Sequence, residues 1–351
     1  MERDAYKKWF IRFIVLAAVL LAGLALLTIF IDPYFHYHGP IKGLSYVFGN
    51  QRYINNGIEK HFDYDSVIIG SSMSENFKPS EAESLMGGKF VKLPFPGASY
   101  KEIDDNLETI FDNKREIKTV IRGLDYNRLL DSADEMRYDD LPTYLYDRNP
   151  FNDVKYIFNM TTLLADYYVI RNTLSGNSDF NMDDYGIQTD MYGYNYAKGA
   201  YFRQEANAEQ IPLSGDDYIN IDDNFYENII ETAIAHPDTQ FYLFFTPYSI
   251  LYFDGLKQEG TMERQFDAEK YIIEKLLPYD NIHLFSFFFE IDTICNLDNY
   301  KDAGHYSPEV CSSLLSWMAE GEYELTWDNY EVYCQFMRDF YLNYNFEYLF
   351  P

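Results

Sequence analysis

The sequence predicts an α/β protein in which a doubly wound parallel sheet follows one N-terminal transmembrane helix. Two observations support this fold class. Residues 13–31 form an apolar run without a charge, and from about residue 65 short apolar segments alternate with helical ones. Alternating strands and helices are typical of a parallel sheet that is covered by helices on both faces.

The apolar run is long enough to cross a bilayer. At about 1.5 Å per residue, residues 13–31 reach roughly the 30 Å of a hydrocarbon core. The run is preceded by basic residues, namely Arg3, Lys7, Lys8 and Arg12. It is followed by an acid and three rings: Asp32, Tyr34, Phe35 and Tyr37. This asymmetry predicts a cytoplasmic tail at 1–12, rings at the outer interface and an extracytoplasmic remainder. The alternative is a cleaved signal peptide, but the run exceeds a usual signal core and no small-x-small site follows it.

Composition excludes several functions for the rest of the chain. The formal charge of -28 would repel a phosphate backbone, and no basic stripe interrupts the acidity, so nucleic acid is not an expected partner. The three cysteines are Cys295, Cys311 and Cys334, which are scattered and form no CxxC pair. We therefore expect neither a disulfide framework nor a structural zinc site, although one bridge stays open.

The order of strands and helices indicates where a ligand would bind. Strands are predicted at Ser66–Gly70, Lys89–Leu93, Lys118–Leu124, Gln240–Thr246 and Ile282–Phe287. Helices are predicted at Pro79–Met86, Lys101–Asn113, Tyr226–His236, Glu263–Leu277 and, in the tail, Trp327–Tyr344. In such sheets ligands bind at the carboxyl ends of the strands.

The stretch from about 130 to 223 breaks this alternation and is rich in tyrosine. One interpretation is a surface insertion that is packed by its own rings. The other is a cap over the site whose tyrosines stack on sugar rings, namely Tyr192, Tyr194, Tyr196 and Tyr201.

Two segments carry residue types that suit nucleophilic catalysis. Gly70-Ser71-Ser72 follows the first strand directly, which would lift the Ser72 hydroxyl to the rim of the sheet, although small residues there also have a purely steric use. Asp302-Ala303-Gly304-His305 follows the fifth strand, and three residues suffice to fold the Asp302 carboxylate onto the His305 ring. A serine needs such a base, and the base works better beside a carboxylate. A loop histidine in a polar turn is the alternative. Ser307 and Pro308 predict an N-cap and a helix start behind the pair.

In this order the segments resemble the SGNH, or GDSL-type, hydrolases and acyltransferases. The family's Gly-Asp-Ser block corresponds to Gly70-Ser71-Ser72, and its Asp-x-x-His block to Asp302–His305. Gly97 in LPFPGASY resembles its oxyanion-binding glycine. The third block, Gly-x-Asn-Asp, is matched at Gly123, but Asp125 stands where the oxyanion-hole asparagine would be. An ionised carboxylate would repel the developing charge, so Asn127 substitutes, or the backbone N–H groups of Ser72 and Gly97 suffice, or catalysis is weak or absent.

The resemblance implies a three-layer α/β/α, SGNH-like (flavodoxin-like) parallel sheet with an aromatic-rich insertion. The implied organisation is a cytoplasmic tail (1–12), a transmembrane anchor (13–31), a membrane-proximal linker (32–64), an SGNH-like domain (65–320, insertion at about 130–223) and a C-terminal helical extension (321–351). The chain is most similar in layout to membrane-tethered cell-surface members, such as the D-alanyl transfer protein of lipoteichoic acid synthesis and the alginate O-acetylation proteins.

The resemblance further implies a serine esterase or O-acyltransferase that acts on an ester of a surface glycan or polymer. Ser72 would be the nucleophile, His305 the base and Asp302 the orienting carboxylate; no cofactor and no metal is required. The expected partners are the bilayer, through residues 13–31, the polymer substrate and a membrane-bound acyltransferase. A non-catalytic SGNH-like module that binds polysaccharide or such an acyltransferase is the alternative. A purely structural anchor protein would keep Asp302 and His305 apart.

Overall fold

The computed structural model of the chain describes residues 2–47, 49–113, 116–138, 141–147, 149–176, 180–207 and 209–350. The chain forms two compact units. Unit 1 comprises Met1–Phe62 and Asp140–Asn181, and unit 2 comprises Asp63–Asp139 and Met182–Pro351. Within the predicted insertion, residues 139, 140, 148, 177–179 and 208 lie outside the described residues.

The secondary structure alternates as the sequence predicts from residue 66 onward. The strands are β1 (Ser66–Gly70), β2 (Phe90–Pro94), β3 (Thr119–Leu124), β4 (Gln240–Phe245), β5 (Ile282–Ser286) and β6 (Glu324–Leu325). The helices are α1 (Glu2–Ile31), α2 (Gln51–His61), α3 (Pro79–Met86), α4 (Tyr100–Asp112), α5 (Val154–Ile157), α6 (Met160–Leu174), α7 (Tyr194–Ala200), α8 (Gly215–Phe225), α9 (Glu231–Ala235), α10 (Ile250–Glu259), α11 (Met262–Leu276), α12 (Ile291–Ile294), α13 (Pro308–Glu320) and α14 (Tyr330–Tyr341). A π-helical turn, Tyr226–Ile230, joins α8 to α9.

In unit 1, α1 contains the apolar run. Among the described residues it is the one helix that is long and apolar enough to cross a membrane. Large apolar side chains point away from the protein along most of it; Leu20 and Leu26, for example, are 65% and 68% exposed. The segment that the sequence predicts to cross a membrane is therefore one continuous helix.

The end of α1 is fixed by Asp32. Asp32 has a positive φ of 47°, which ends the helix, and its side chain is fully buried. The carboxylate accepts hydrogen bonds from the backbone N–H groups of His36, Tyr37 and His38 at 2.7–2.9 Å. It also accepts one from the Tyr156 hydroxyl on α5 at 2.7 Å. Four donors to one buried carboxylate hold the chain in a defined turn directly after the apolar helix.

The rings that follow α1 are placed differently from the expectation. Tyr34 and Phe35 are buried among protein side chains, where Tyr34 packs on Tyr53 and Phe35 on Tyr46. Both side chains therefore contribute to the core of unit 1 rather than to a lipid-contacting belt. Their burial next to α1 adds apolar packing to the polar connection at Asp32.

Unit 2 contains a six-stranded sheet with the order β2-β1-β3-β4-β5-β6. The first five strands are parallel, whereas β6 pairs antiparallel with β5 through Leu284↔Leu325 and Phe285↔Glu324. The expectation of a purely parallel sheet was wrong at this edge, because β6 is a two-residue strand that carries no sequence pattern. All five residues of β1 are buried, as expected of a strand covered on both faces.

The strand order reverses beside β1. The chain passes from β1 to β2 on one side and then returns to β3 on the other side. A crevice opens where parallel connections diverge in this way, at the carboxyl ends of the two strands. The residues after Gly70 and after Leu124 meet at this crevice, which is where the candidate site lies.

Two buried cations secure the strands that carry the site. Arg122 on β3 lies 3.2 Å from the Asp104 carboxylate of α4 and also donates to the Asn228 and Tyr100 carbonyls. Lys92 on β2 donates to the carbonyls of Glu75 and Phe77, at 2.7 and 2.8 Å. Burial lowers the pKa of Lys92 to about 8. Since Glu75 and Phe77 belong to the turn after Ser72, Lys92 fixes that turn from the neighbouring strand.

Candidate active site

Ser72 stands at the start of a short helical turn directly after β1. Gly70 ends the strand, and the turn Ser72–Ser74 begins two residues later. The Ser71 hydroxyl oxygen accepts from the Met73 N–H at 3.2 Å, and the Ser74 hydroxyl donates to the Ser71 carbonyl at 2.8 Å. These local bonds hold the turn tightly, so the Ser72 side chain is presented at the carboxyl end of the sheet, as the sequence predicts.

The loop before α13 brings an imidazole to this hydroxyl. His305 Nε2 lies 2.8 Å from Ser72 Oγ, and His305 Nδ1 lies 2.8 Å from Asp302 Oδ2. The two ring nitrogens therefore connect a hydroxyl to a carboxylate, which is the arrangement a histidine needs to accept the serine proton. If the protein were a purely structural anchor, Asp302 and His305 would be expected to lie apart, whereas here they are hydrogen-bonded.

The Asp302 carboxylate is itself held by its own loop. Oδ1 accepts from the backbone N–H groups of Gly304 and His305 at 2.8 and 2.7 Å. Burial raises the pKa of Asp302, but the hydrogen bonds from His305 and Gly304 outweigh it and lower that pKa below its usual value. Ser249 clamps the same loop, because its N–H and its hydroxyl both donate to the Ala303 carbonyl at 2.9 Å. Asp302 is thus ionised and oriented at neutral pH.

The helix behind the loop begins where the sequence predicts. α13 starts at Pro308, and Ser307 occupies the N-cap position. The expected capping hydrogen bond from the Ser307 side chain is not formed, so the proline and the extended backbone of Ser307 define this helix start.

Two backbone N–H groups near Ser72 have no partner in the described part of the chain, those of Ser72 and Gly97. Both residues line the cavity beside the hydroxyl. Gly97 has a φ of +71°, and a Cβ there would collide with the Tyr138 hydroxyl, so glycine suits this position on two counts. An N–H pair of this kind can bind an oxyanion.

Asp125 follows β3 and is buried within the site. Its Oδ1 accepts a hydrogen bond from the Ser71 hydroxyl at 2.8 Å, and its Oδ2 lies 3.9 Å from Arg128 Nε. Burial raises the pKa of Asp125 to about 6, although Ser71, Arg128 and His305 each oppose the rise. A carboxyl group with this pKa is neutral below about pH 6 and ionised above it.

Asn127 lies on the same rim, two residues further on. Its Oδ1 accepts from the Tyr248 hydroxyl at 3.0 Å. This leaves the Nδ2 hydrogens without a partner among the described residues, and the side chain is exposed to the cavity that it lines. Asn127 is therefore placed as an amide donor, whereas Asp125 in its ionised form is not.

The site opens into two adjoining cavities. The first, of about 400 Å³, contains Ser72, Gly97 and His305 in its wall. The second, of about 430 Å³, shares Asn127, Tyr252 and Ala303 with the first. Together they form one depression at the carboxyl end of the sheet.

The four tyrosines of the predicted cap have different surroundings. Tyr201 lines the second cavity and donates its hydroxyl to Asp254 at 2.9 Å. Tyr192 is bonded to Asn76 and Gln188 through its hydroxyl, and Tyr194 and Tyr196 are exposed on α7. Of the four, Tyr201 has the position that suits contact with a ligand.

Two residues that position the site, Gln188 and Tyr248, were not predicted from the sequence. Gln188 Nε2 donates to the Ser72 carbonyl at 3.0 Å and to the Glu75 carboxylate at 2.7 Å. Burial raises the pKa of Glu75. No motif surrounds Gln188 or Tyr248, because their roles depend on contacts between distant segments. Among the described residues no cluster of three or more His, Cys, Asp or Glu side chains could hold a metal ion.

These observations define a class: an α/β protein with a Ser–His–Asp hydrogen-bonded chain at the carboxyl end of a mixed, mostly parallel sheet. Comparison with protein-family models and with curated proteins found no match.

Proposed function

We propose that the protein is a membrane-anchored, extracytoplasmic serine esterase or O-acyltransferase of the SGNH type, acting on an ester of a cell-surface glycan or polymer. One observation carries this proposal: the 2.8 Å contacts of His305 with Ser72 on one side and with Asp302 on the other. The reversal of strand order beside β1, the glycine at 97 and the spacing from Asp302 to His305 add support for the SGNH-like fold.

The reaction follows from the three side chains. His305 Nε2 removes the Ser72 proton while Ser72 Oγ bonds to the acyl carbonyl carbon, and Asp302 stabilises the resulting imidazolium. The N–H groups of Ser72 and Gly97 bind the oxyanion. When the intermediate collapses, the ester C–O bond breaks and His305 returns the proton to the leaving alcohol. Water or an acceptor hydroxyl then attacks the acyl-serine, and the same base assists.

The two cavities suit transfer to an acceptor. The acyl donor would occupy the cavity beside Ser72, and a glycan acceptor would occupy the adjoining one, where the Tyr201 and Tyr252 rings are available for contact. Aromatic rings with polar tips bind sugars through their faces and hydroxyls. The tyrosine-rich stretch at about 130–223 contributes Tyr201, which belongs to unit 2, to the proposed acceptor site.

Labelling with a fluorophosphonate probe tests the proposal most directly. The probe forms a stable phosphonyl ester with an activated serine, and we expect mass spectrometry of the full-length protein to place the adduct on Ser72. Ser72→Ala should remove both the adduct and the turnover of p-nitrophenyl acetate and acylated glycans. Ser313→Ala is the matched control, because Ser313 is half-exposed on α13 and its hydroxyl bonds within that helix. Equal turnover by Ser72→Ala and the wild type would exclude Ser72 from the mechanism.

The second candidate function is a non-catalytic SGNH-like module that binds polysaccharide or a membrane acyltransferase. The buried Asp125 favours it, because an ionised carboxylate near the oxyanion site opposes catalysis. This function predicts glycan binding without an adduct on Ser72. It also predicts that Ser72→Ala binds the glycan as tightly as the wild type does.

The orientation of the chain is part of the proposal. Residues 1–12 carry the basic flank, which favours the cytoplasmic side, so the site would face outward. Protease added to intact cells should then degrade unit 2 and leave the N-terminal tail protected. Protection of unit 2 would reverse the orientation and remove surface polymers as substrates.

A further inference from the structure

Helix α6 has its apolar and polar faces exchanged relative to a helix of a soluble protein. Its covered face carries the buried Thr162 and Asp166 and the half-buried Thr173, beside Ala165 and Val169. Its exposed face carries large apolar or aromatic side chains: Met160, Leu164, Tyr167, Tyr168, Ile170 and Leu174. Leu174 is 83% exposed and Met160 is 69% exposed. A helix that faces water shows the opposite pattern.

The polar face of α6 packs against the end of the apolar helix α1 within unit 1. The Thr28 hydroxyl of α1 donates to Asp166 Oδ2 of α6 at 2.6 Å, and both side chains are buried. The neighbouring helix α5 is bonded to the same end of α1, through Tyr156 and Asp32 at 2.7 Å. The segment that contains α5 and α6 is therefore held against the end of α1 at two adjacent points, one on each helix.

This position sets the depth of α6. Thr28 precedes Ile31, the last residue of α1, by three residues, which is about 4.5 Å along the helix axis. If α1 spans the bilayer, Thr28 lies just inside the apolar layer, and a helix that touches it lies at the same level. With 15 residues, α6 is about 22 Å long and too short to cross the membrane.

The exposed face has the composition of a helix in the membrane interface. Tyr167 and Tyr168 combine an apolar ring with a polar hydroxyl, and Arg171 in the last turn is the one charged residue that the face exposes within α6. Such side chains extend their polar ends to the headgroups while their apolar parts contact lipid tails. Phe151, Val154 and Phe158, before and around α5, extend the same exposed apolar surface.

We propose that the exposed face of α6 is embedded in the lipid leaflet into which α1 emerges, as a second, interfacial membrane contact. This inference rests on the proposed membrane anchor. Unit 1 would then contact one lipid leaflet through α6 as well as through α1, and the hydrogen bond between Thr28 and Asp166 would join the interfacial helix to the spanning helix.

Spin-label accessibility in nanodiscs tests the proposal with the full-length chain. Cys295, Cys311 and Cys334 are replaced by alanine, and a nitroxide is attached at L164C in phosphatidylcholine–phosphatidylglycerol nanodiscs. We expect collisions with oxygen to exceed those with water-soluble nickel-EDDA, as in lipid. L20C in the middle of α1 is the lipid reference, and E108C on the exposed face of α4 is the aqueous reference.

The outcomes separate this inference from the anchor. If the label at position 164 collides mainly with nickel-EDDA while the label at position 20 collides mainly with oxygen, the interfacial helix is excluded and the anchor remains. Aqueous signals at both positions remove the anchor as well. Shielding of position 164 from both reagents means that a protein partner or a second copy covers the face, which also overturns the proposal.

A second measurement avoids the cysteine replacements. In Leu164→Trp, the added tryptophan should be quenched by lipids brominated on their tails, over and above the quenching of the wild-type protein with its native tryptophans. Leu85→Trp, at an exposed leucine of α3, is the matched control and should add unquenched fluorescence. Equal quenching increments for the two variants would contradict insertion of α6.

Discussion

Ser71 donates its hydroxyl hydrogen to the Asp125 carboxylate over 2.8 Å, one residue before the proposed nucleophile. In the SGNH pattern an aspartate stands at the position of Ser71 and an asparagine at the position of Asp125. In this chain a serine replaces the aspartate, an aspartate replaces the asparagine, and the two side chains form a hydrogen bond with each other. The two departures from the pattern are therefore linked, because the serine supplies a donor to the carboxyl group that replaces the amide.

The charge on Asp125 should limit turnover above pH 6. Burial raises its pKa to about 6, so the group is neutral below that value and repels an oxyanion above it. The charged or titratable groups that act on it are Arg128, His305 and Asp131. We expect Asp125→Asn to raise kcat/KM about tenfold at pH 8, equivalent to about 1.4 kcal/mol, and to change it little at pH 5. The full pH profile of kcat/KM is the measurement, and parallel profiles for the variant and the wild type would contradict it.

Removing the charge of Asp302 should abolish most of the activity without unfolding the protein. Asp302 fixes the His305 tautomer and supports its positive charge, so we expect Asp302→Asn to lower kcat by about 10²–10⁴. Asp292→Asn is the control, because Asp292 is an exposed acid on α12. Thermal unfolding should be unchanged in both variants. Retention of full turnover by Asp302→Asn would show that His305 acts without this carboxylate.

Gly97→Ala should lower both the free energy of unfolding and kcat, through backbone strain and through a steric collision. The φ of +71° strains an alanine by about 1 kcal/mol, and its Cβ meets the Tyr138 hydroxyl. The double variant Gly97→Ala with Tyr138→Ala removes the collision and keeps the backbone strain. We expect the double variant to recover less than half of the loss in kcat, because the N–H of residue 97 stays displaced. Full recovery would mean that only the collision matters.

Glu269 should make the folded protein less stable as the pH rises. Burial raises the pKa of Glu269 to about 7, while Tyr126 and Tyr333 donate hydrogen bonds to it. The folded state therefore holds this proton more tightly than the unfolded state does. The free energy of unfolding should fall between about pH 4.5 and pH 7, by about 3 kcal/mol from this group.

Glu269→Gln should remove that part of the pH dependence, as measured by chemical denaturation in detergent from pH 5 to pH 8. Glu320→Gln, at an exposed position on α13, is the control and should keep the wild-type slope. A slope that is the same in Glu269→Gln and the wild type would show that the buried carboxyl is not titrating in this range.

The parts of the fold that the sequence predicted are those with a local signal. β1, β3, β4 and β5 are buried on both faces, so they appear as short apolar runs with boundaries accurate to one or two residues. Ser72 and the segment from Asp302 to His305 were identifiable because each follows such a run. α10 was not predicted, although Ser249 caps its start and Gly260 follows its end, both of which are readable signals.

Other features depend on contacts that no local pattern encodes. Ser71 and Asp125 are 54 residues apart and meet only because β1 and β3 are neighbours in the sheet. The exchanged faces of α6 were not predicted, because its residues have ordinary helical spacing and the covered face is defined by contacts such as that between Thr28 and Asp166.

The four hydrogen bonds to Asp32 have a mechanical consequence. They join the end of α1 directly to the folded part of unit 1, so we expect α1 and unit 1 to move together. A helix adjusts to a thinner bilayer by tilting. If α1 spans a bilayer, such a tilt would rotate unit 1 with it, so that membrane thickness would set the inclination of unit 1 to the membrane plane.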